Sequence, residues 1–336
     1  IRGPEERYPI MLGASAPGVP SGFVEGGGSL GPLGGLAARA QWGVLRESPF
    51  FDENAENDRT LISAFFLDWA PAFARGLELG ASLTYRDPLA GGFTPSLLWR
   101  AFSTVSAQEE EQKAEDGLGA AHARWEVGGL AAWGTWGRGD YWLNSEDLLT
   151  EPNHNQIYAL GGSLAWWQGS GQWTLTGETA SLAGTLGRGR FPLESPKPYR
   201  HGRAAQGYTH EGQLLGASIG PGSRGAWFRV QRADSTRTVG IEVERILHDL
   251  DVHREVFARR DGSDGQDREW RFAVLYEGAA PGFGSAAVGL KANGGVSLRW
   301  NRDYIRYSGN ADLVGLRESN WFLDVALTWD PRGGSR

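Results

Sequence analysis

The chain has 336 residues, no cysteine, 50 glycines, 15 tryptophans and a formal net charge of −7. The lack of cysteine excludes a disulfide framework, a thiolate metal site and a cysteine nucleophile, and the mild acidity leaves no electrostatic footprint for nucleic acid. No run of about 18 apolar residues is present, which excludes a transmembrane helix; no signal peptide is present either, and a start at Ile1 is what a mature or trimmed chain would show.

Residues 1–20 are rich in Gly and Pro and read as an irregular lead-in. Strands are expected at about 22–29 and 33–44, split by Gly31-Pro32, and a polar loop at 45–59 follows. That loop mixes aromatics, acids and amides, which makes Asn54 and Asn57 candidates for narrowing a lumen. After a strand at 60–69, residues 77–86 alternate cleanly. Leu77, Leu79, Ala81, Leu83 and Tyr85 form one face, and Glu78, Gly80, Ser82, Thr84 and Arg86 the other. A strand at 93–104 leads to the charged run Glu109–Glu111, read as solvated.

Strands at 116–126 and 129–137 meet at the tight turn Gly128-Gly129. A polar loop at 138–154 precedes strands at 155–168 and 172–182, and 183–207 is the longest irregular stretch, basic and Pro-containing. Strands at 208–219, 224–232 and 236–247 follow, the first two joined by a turn at 220–223; then come an acidic loop at 248–267 and a strand at 268–277. Asn293-Gly294, a strong hairpin signal, separates expected strands at 284–292 and 295–307. The last strand, Trp321–Asp330, places Trp321, Leu323, Val325, Leu327 and Trp329 on one face, against Phe322, Asp324, Ala326, Thr328 and Asp330.

That last apolar face runs aromatic, aliphatic, aromatic over about ten residues, the length and girdle pattern of a strand crossing a bilayer. The opposite faces carry acids beside bases, as in Glu269 with Arg271, Arg299 with Asp303 and Glu78 with Arg86. Such charges are costly in a dry core and cheap beside a wet lumen. Closure would also remove exposed sheet edges. The expectation is therefore all-β: one transmembrane antiparallel β-barrel of about 16–18 strands in the outer membrane. It spans 21–331 and leaves a tail at 332–336. Counting back from a periplasmic C-terminus puts the turns at 127–129, 169–171, 220–223 and 293–294 on the periplasmic side. The same count leaves the long loops 45–59 and 248–267 there too, where long loops are unusual.

Few residues suggest chemistry. His154 and Ser163 lie on one strand, which is poor geometry for a nucleophile and its base. Asp261, Asp264 and Asp267 lack the ligand spacing of a calcium loop. No catalytic residue, metal site or cofactor is assigned. Trp142 and Trp227 are candidate sugar-stacking residues, and Arg188, Arg190, Lys197, Arg200 and Arg203 are candidate contacts for an acidic polymer.

Two stretches carry a resemblance. Tyr208–Ser223 has an aromatic residue, Gly212 and Leu215-Gly216 ahead of a Gly-rich turn, and Trp42-Gly43 leads through the Asn54/Asn57 loop into the strand at 60–69. Together they resemble the Wzi-type capsule assembly family, in order across about residues 33–330. That resemblance implies a large outer-membrane barrel acting as a lectin that tethers capsular or exopolysaccharide. The family's larger members carry a periplasmic helical bundle, and no helix pattern of that kind occurs here. The expected function is non-catalytic binding or anchoring of surface polysaccharide, with a general porin for small solutes as the alternative. The expected partners are an acidic polysaccharide and outer-membrane lipid, without nucleic acid; the oligomeric state is open.

Overall fold

In the computed structural model the described residues are 6–11, 19–50, 58–89, 92–102, 116–139, 156–183, 199, 207–251, 266–279, 288–302 and 317–329. Period-two alternation dominates them, and the chain accordingly folds into long strands. The first eight are β1 (Ser21–Ser29), β2 (Gly35–Arg46), β3 (Arg59–Ala70), β4 (Leu77–Pro88), β5 (Asp116–Val127), β6 (Leu130–Gly139), β7 (Gln156–Gln168) and β8 (Gly171–Ser181). A short hairpin, β9 (Thr209–His210) with β10 (Gln213–Leu214), stands apart. The series resumes with β11 (Arg224–Ala233), β12 (Arg237–Leu247), β13 (Arg268–Ala279), β14 (Val288–Trp300) and β15 (Arg317–Trp329). The thirteen long strands form one antiparallel sheet in sequence order. Among the described residues no helix is long and apolar enough to cross a membrane.

Register aligns like with like. One row across the sheet reads Glu178, Trp227, Glu244, Arg271 and Ser297, on β8 and β11 to β14. The next row, on the opposite face, reads Phe228, Val243, Phe272, Val296 and Trp321. The first face curls inward. Leu45, Ile62, Leu118, Ala120, Ile157, Ala159, Ala180, Trp227 and Ile246, spread over β2 to β12, share a single buried cluster. The sheet is thus a barrel, as the alternation predicts.

The other face stays bare. Val274 is 63% exposed, Leu323 72% and Leu327 65%, and an apolar surface this continuous belongs against lipid. Aromatics gather at both rims. Trp69, Trp125, Trp166 and Trp173 lie near one end of their strands, and Trp42, Trp136, Trp270, Trp300 and Trp321 near the other. These are the two interfacial girdles of a membrane barrel.

Three expected elements differ. Within the expected strand at 93–104, Pro95–Phe102 coil into 3₁₀ turns, since Pro95 has no amide for a ladder. Their rings pack on Trp42 and Phe65, with Phe65–Phe102 at 4.4 Å and Trp42–Trp99 at 6.1 Å. The stretch 208–219 contributes the small hairpin instead of a wall strand. Asn293-Gly294 does not turn: neither residue has a positive φ, and β14 runs through both, pairing Asn293 with Asp324 and Gly294 with Leu323. A two-residue preference loses to thirteen paired positions on the β15 side.

Three changes set the sidedness: losing that turn inverts the strands before it, losing the wall strand at 208–219 restores those before that, and losing the strand at 93–104 inverts the earliest ones again. The connections at 30–34, 71–76, 128–129, 169–170 and 234–236 now share one end with 280–287. All the long ones, 47–58, 89–115, 140–155, 182–223, 248–267 and 301–316, share the other. The loops 45–59 and 248–267 therefore lie with the other long loops and not on the short-turn side, and 220–223 moves to the long-loop end. Short turns at one end and long loops at the other are the ordinary asymmetry of such barrels.

The face assignment is testable on β15, where Val325 is 56% exposed on the outer face and Ala326 is its lumenal neighbour. Val325→Arg is expected to destabilise the folded protein in lipid vesicles by about 2–4 kcal/mol in urea titrations. Ala326→Arg, at the same depth, is expected to cost under about 1 kcal/mol because its side chain meets water. Equal losses at the two sites would reverse the assignment.

Candidate functional site

Inside the barrel the inward-facing residues fall into two halves. Toward the short turns Glu78, Glu277 and Lys291 are exposed, whereas toward the long loops Thr176, Glu178, Trp227, Glu244 and Glu269 are buried. What covers them is residues 6–11, a segment of the Gly/Pro-rich lead-in that lies within the lumen.

Two wall carboxylates hold this segment. Glu178 on β8 accepts the backbone amides of Tyr8 at 2.7 Å and Arg7 at 3.0 Å, and the indole N–H of Trp133 at 3.0 Å. Glu244 on β12 accepts the Tyr8 hydroxyl at 2.7 Å and the Arg7 guanidinium at 2.8 Å and 3.2 Å. A segment without secondary structure carries backbone donors that burial would orphan; the Glu178 carboxylate supplies the missing acceptor. Arg7 also stacks near Trp227, whose ring lies 4.7 Å from the Arg229 guanidinium carbon.

The apolar side of the segment is equally engaged. Tyr8, Ile10 and Met11 join the buried cluster with Leu182, Tyr208, Leu215, Ala217 and Ile219. Tyr199 donates its hydroxyl to the Ile10 carbonyl, accepts from the Ala217 amide at 3.2 Å, and stacks on Tyr208 at 5.2 Å. Gly216 permits this approach, because a Cβ there would sit 2.3 Å from the Tyr199 hydroxyl. The small hairpin is tied to the end of β2 through the Arg46 amide on His210 Nδ1 at 3.1 Å and the Glu211 amide on the Arg46 carbonyl at 2.7 Å. Residues 6–11, Tyr199 and 207–222 together make a plug with its own small core.

The wall behind the plug is a relay of alternating charge. Arg271 bridges Glu244 at 3.4 Å and Glu269 at 2.6 Å; Glu269 also meets His248 at 2.8 Å and Ser297 at 2.5 Å. Arg229 pairs with Glu242, and Arg299 grips Asp267 with two bonds at 2.8 and 2.6 Å. The expected pairing of Glu269 with Arg271 is present. Within the plug, burial first and the Glu244 carboxylate second push the Tyr8 phenol well above its ordinary range, and burial does the same to Tyr199. Burial alone would lower Arg7, but its hydrogen bond to Glu244 raises it overall.

The candidate site residues distribute unevenly. Trp227 faces the lumen on β11 and is 4% exposed, inside the plug cluster. Arg188, Arg190, Lys197, Arg200, Arg203, Trp142, Asn54 and Asn57, with His154, Asp261 and Asp264, lie outside the described residues. Asp267 is engaged by Arg299. Sequence reading missed Arg7, Tyr8, Glu178 and Glu244 as one unit. The signal was the apolar run Tyr8-Pro9-Ile10-Met11 inside an otherwise Gly/Pro-rich lead-in.

No family model and no curated protein sequence matches the chain. Among solved structures it is similar to Wzi of Escherichia coli, described as an outer-membrane protein involved in group 1 capsule assembly and a carbohydrate-binding β-barrel. The TM-score is 0.61 at 12% identity, and the match covers 97% of this chain and 64% of that one. The chain thus spans less than two thirds of that protein's length. The likeness is one of fold.

Arg7→Ala combined with Tyr8→Phe removes the side-chain hold on Glu244 while leaving the wall intact. Charge-assisted bonds contribute about 1.5–3 kcal/mol each; the Arg7 side chain is 34% exposed, so the low end applies to it. The double variant is expected to raise the open probability of single channels in planar bilayers about tenfold or more. The plug should also loosen in alkali. A phenol raised by folding stabilises fully below its ordinary value of 10.0 and loses that contribution as pH climbs above it. Conductance should therefore rise above about pH 10, and Tyr8→Phe should remove that step. An unchanged conductance in both experiments would mean that residues 6–11 do not close the path.

Proposed function

We propose that this chain is an outer-membrane barrel that binds or anchors surface polysaccharide, capsular or exopolysaccharide, without catalysing a reaction on it. The observation that carries the reading is the plug: the half of the lumen facing the long loops is filled by residues 6–11 and 207–222. A passive porin needs an open aqueous path, whereas a tether needs a closed barrel that displays loops. The fold likeness to a carbohydrate-binding barrel supports the same reading.

In this proposal the long-loop end faces outward, and the loop at 182–223 is the principal contact. Its Arg188, Arg190, Lys197, Arg200 and Arg203 suit an acidic polymer, and Trp142 from the loop at 140–155 supplies a ring for a sugar face. Many weak contacts along a repeating chain sum to useful avidity without a deep cleft. Asn54 and Asn57, in the loop at 47–58 at the same end, add to the closure. Outer-membrane lipid surrounds the apolar band.

Purified barrel should retain an acidic polysaccharide on an affinity matrix at low ionic strength and release it as salt rises, since the screening length falls from about 10 Å at 0.1 M to about 3 Å at 1 M. Replacing Arg188, Arg190 and Arg203 together with Gln is expected to weaken binding about tenfold, at up to about 1 kcal/mol for each exposed pair. Free conduction of small ions with no polymer retained would favour the porin reading instead.

A further inference from the structure

The unplugged half of the lumen holds a second cluster, on β3, β4 and β5. Asp68 pairs in register with Gly80, and Gly80 with His122, so the three lie in one row across the sheet on the inward face. Gly80 has no side chain, and the Asp68 and His122 side chains meet over it, His122 Nε2 to Asp68 Oδ1 at 3.0 Å. A Cβ at position 80 would sit 2.3 Å from the His122 ring and 2.5 Å from Asp68 Oδ1. The glycine is not in the left-handed region, so space and not backbone conformation explains it. Glu78, two residues before it on the same face, brings a third donor; one atom from each of the three side chains lies within 4.8 Å of the others.

An ion pair alone accounts poorly for this arrangement. A half-exposed His–Asp pair contributes little, and a second carboxylate beside the first adds repulsion. Arg124, opposite Glu78 in register, is held by Glu126 at 3.4 Å, and Glu6 of the plug adds a further acid within electrostatic reach of His122, Arg124 and Glu78. A metal ion bound about 2.1 Å from each donor sets neighbouring donors about 3–3.5 Å apart, which is the Asp68–His122 spacing. Imidazole with two carboxylates suits a divalent first-row transition ion better than calcium or magnesium, which prefer all-oxygen sites. Three adjacent strands supply rigid supports, and the exposed Glu78 side leaves further coordination positions to water.

The geometry points to a lumenal site for one divalent transition-metal ion, such as Zn²⁺, held by Asp68, Glu78 and His122 and made possible by Gly80. The site needs no polysaccharide, because its three donors all come from the wall strands β3, β4 and β5; Glu6 of the plug lies within electrostatic reach of His122 and Glu78. The ion would clip β3, β4 and β5 together.

The test is isothermal titration of chelator-stripped barrel in detergent with ZnCl₂, and with CaCl₂ in parallel. The expected result is one zinc per chain, bound at least tenfold tighter than calcium. His122→Ala should weaken zinc binding at least tenfold. Gly80→Ala keeps all three ligands but displaces two of them, and it should weaken binding comparably while far-UV circular dichroism stays that of the parent. Should Gly80→Ala fail to fold, Asp68→Asn tests the same row. No saturable zinc uptake by the parent, or uptake that His122→Ala leaves unchanged, would overturn the assignment.

Discussion

A strand that crosses lipid can leave no backbone amide or carbonyl without a partner, because hydrocarbon offers none. That constraint organises the rest of this molecule. It requires long paired strands, and eleven of the thirteen here have a neighbour on both sides; the register then forces every second side chain outward into lipid and the others inward. Phe228, Val243, Phe272, Val296 and Trp321 line up outside for the same reason that Glu178, Trp227, Glu244, Arg271 and Ser297 line up inside. Once the inward row is polar, something must satisfy it. In the half toward the short turns water does so; in the half toward the long loops the plug does.

The charge relay follows from that second arrangement. Covering Glu178 and Glu244 with chain would strand two carboxylates in a dry interior, which is costly without partners. Each is supplied with several donors: two amides and an indole for Glu178, and two guanidiniums and a phenol for Glu244. The donors come partly from the wall and partly from the plug, so neither is complete without the other. Arg271 sits between Glu244 and Glu269 and couples the plug site to His248, next to the long-loop end of β12.

The sequence pattern revealed the barrel because period-two alternation is imposed by lipid on one side and water on the other, and twelve of the thirteen wall strands show it at nearly their observed bounds. It misled at Asn293-Gly294, where a local turn preference was weighed without the pairing that β13 and β15 impose on both flanks. That error put the loop 248–267 on the wrong side, and together with the strands misread at 208–219 and 93–104 it did the same to 45–59. It misled again at 93–104, where an aromatic-rich stretch resembles a strand but packs as a ring cluster on Trp42 and Phe65. The lumenal groups were harder to read. Tyr8 contacts Glu178 and Glu244 across sequence separations of 170 and 236 residues, and Asp68 meets His122 only because Gly80 lies between them in register. No local pattern encodes either meeting; both need the register first.

Sidedness also explains why the lead-in, and not a wall loop, forms the centre of the plug. With an odd number of wall strands, thirteen, and β15 ending at the short-turn end, β1 must begin at the long-loop end. The chain just before β1 therefore starts beside that mouth, where Pro20 already accepts the Val44 amide of β2 at 3.4 Å. Residues 6–11, a short way earlier in the chain, lie in the lumen against Glu178 and Glu244. A segment there has no strand neighbours, so its amides need side-chain acceptors, and the two carboxylates that face it are placed to serve. The hairpin at 209–214 then closes over it from the long connection between β8 and β11, packing Leu215, Ala217 and Ile219 against Ile10. The plug is thus assembled from both directions at the end of the barrel that carries the loops, leaving the opposite mouth wet and lined with charge.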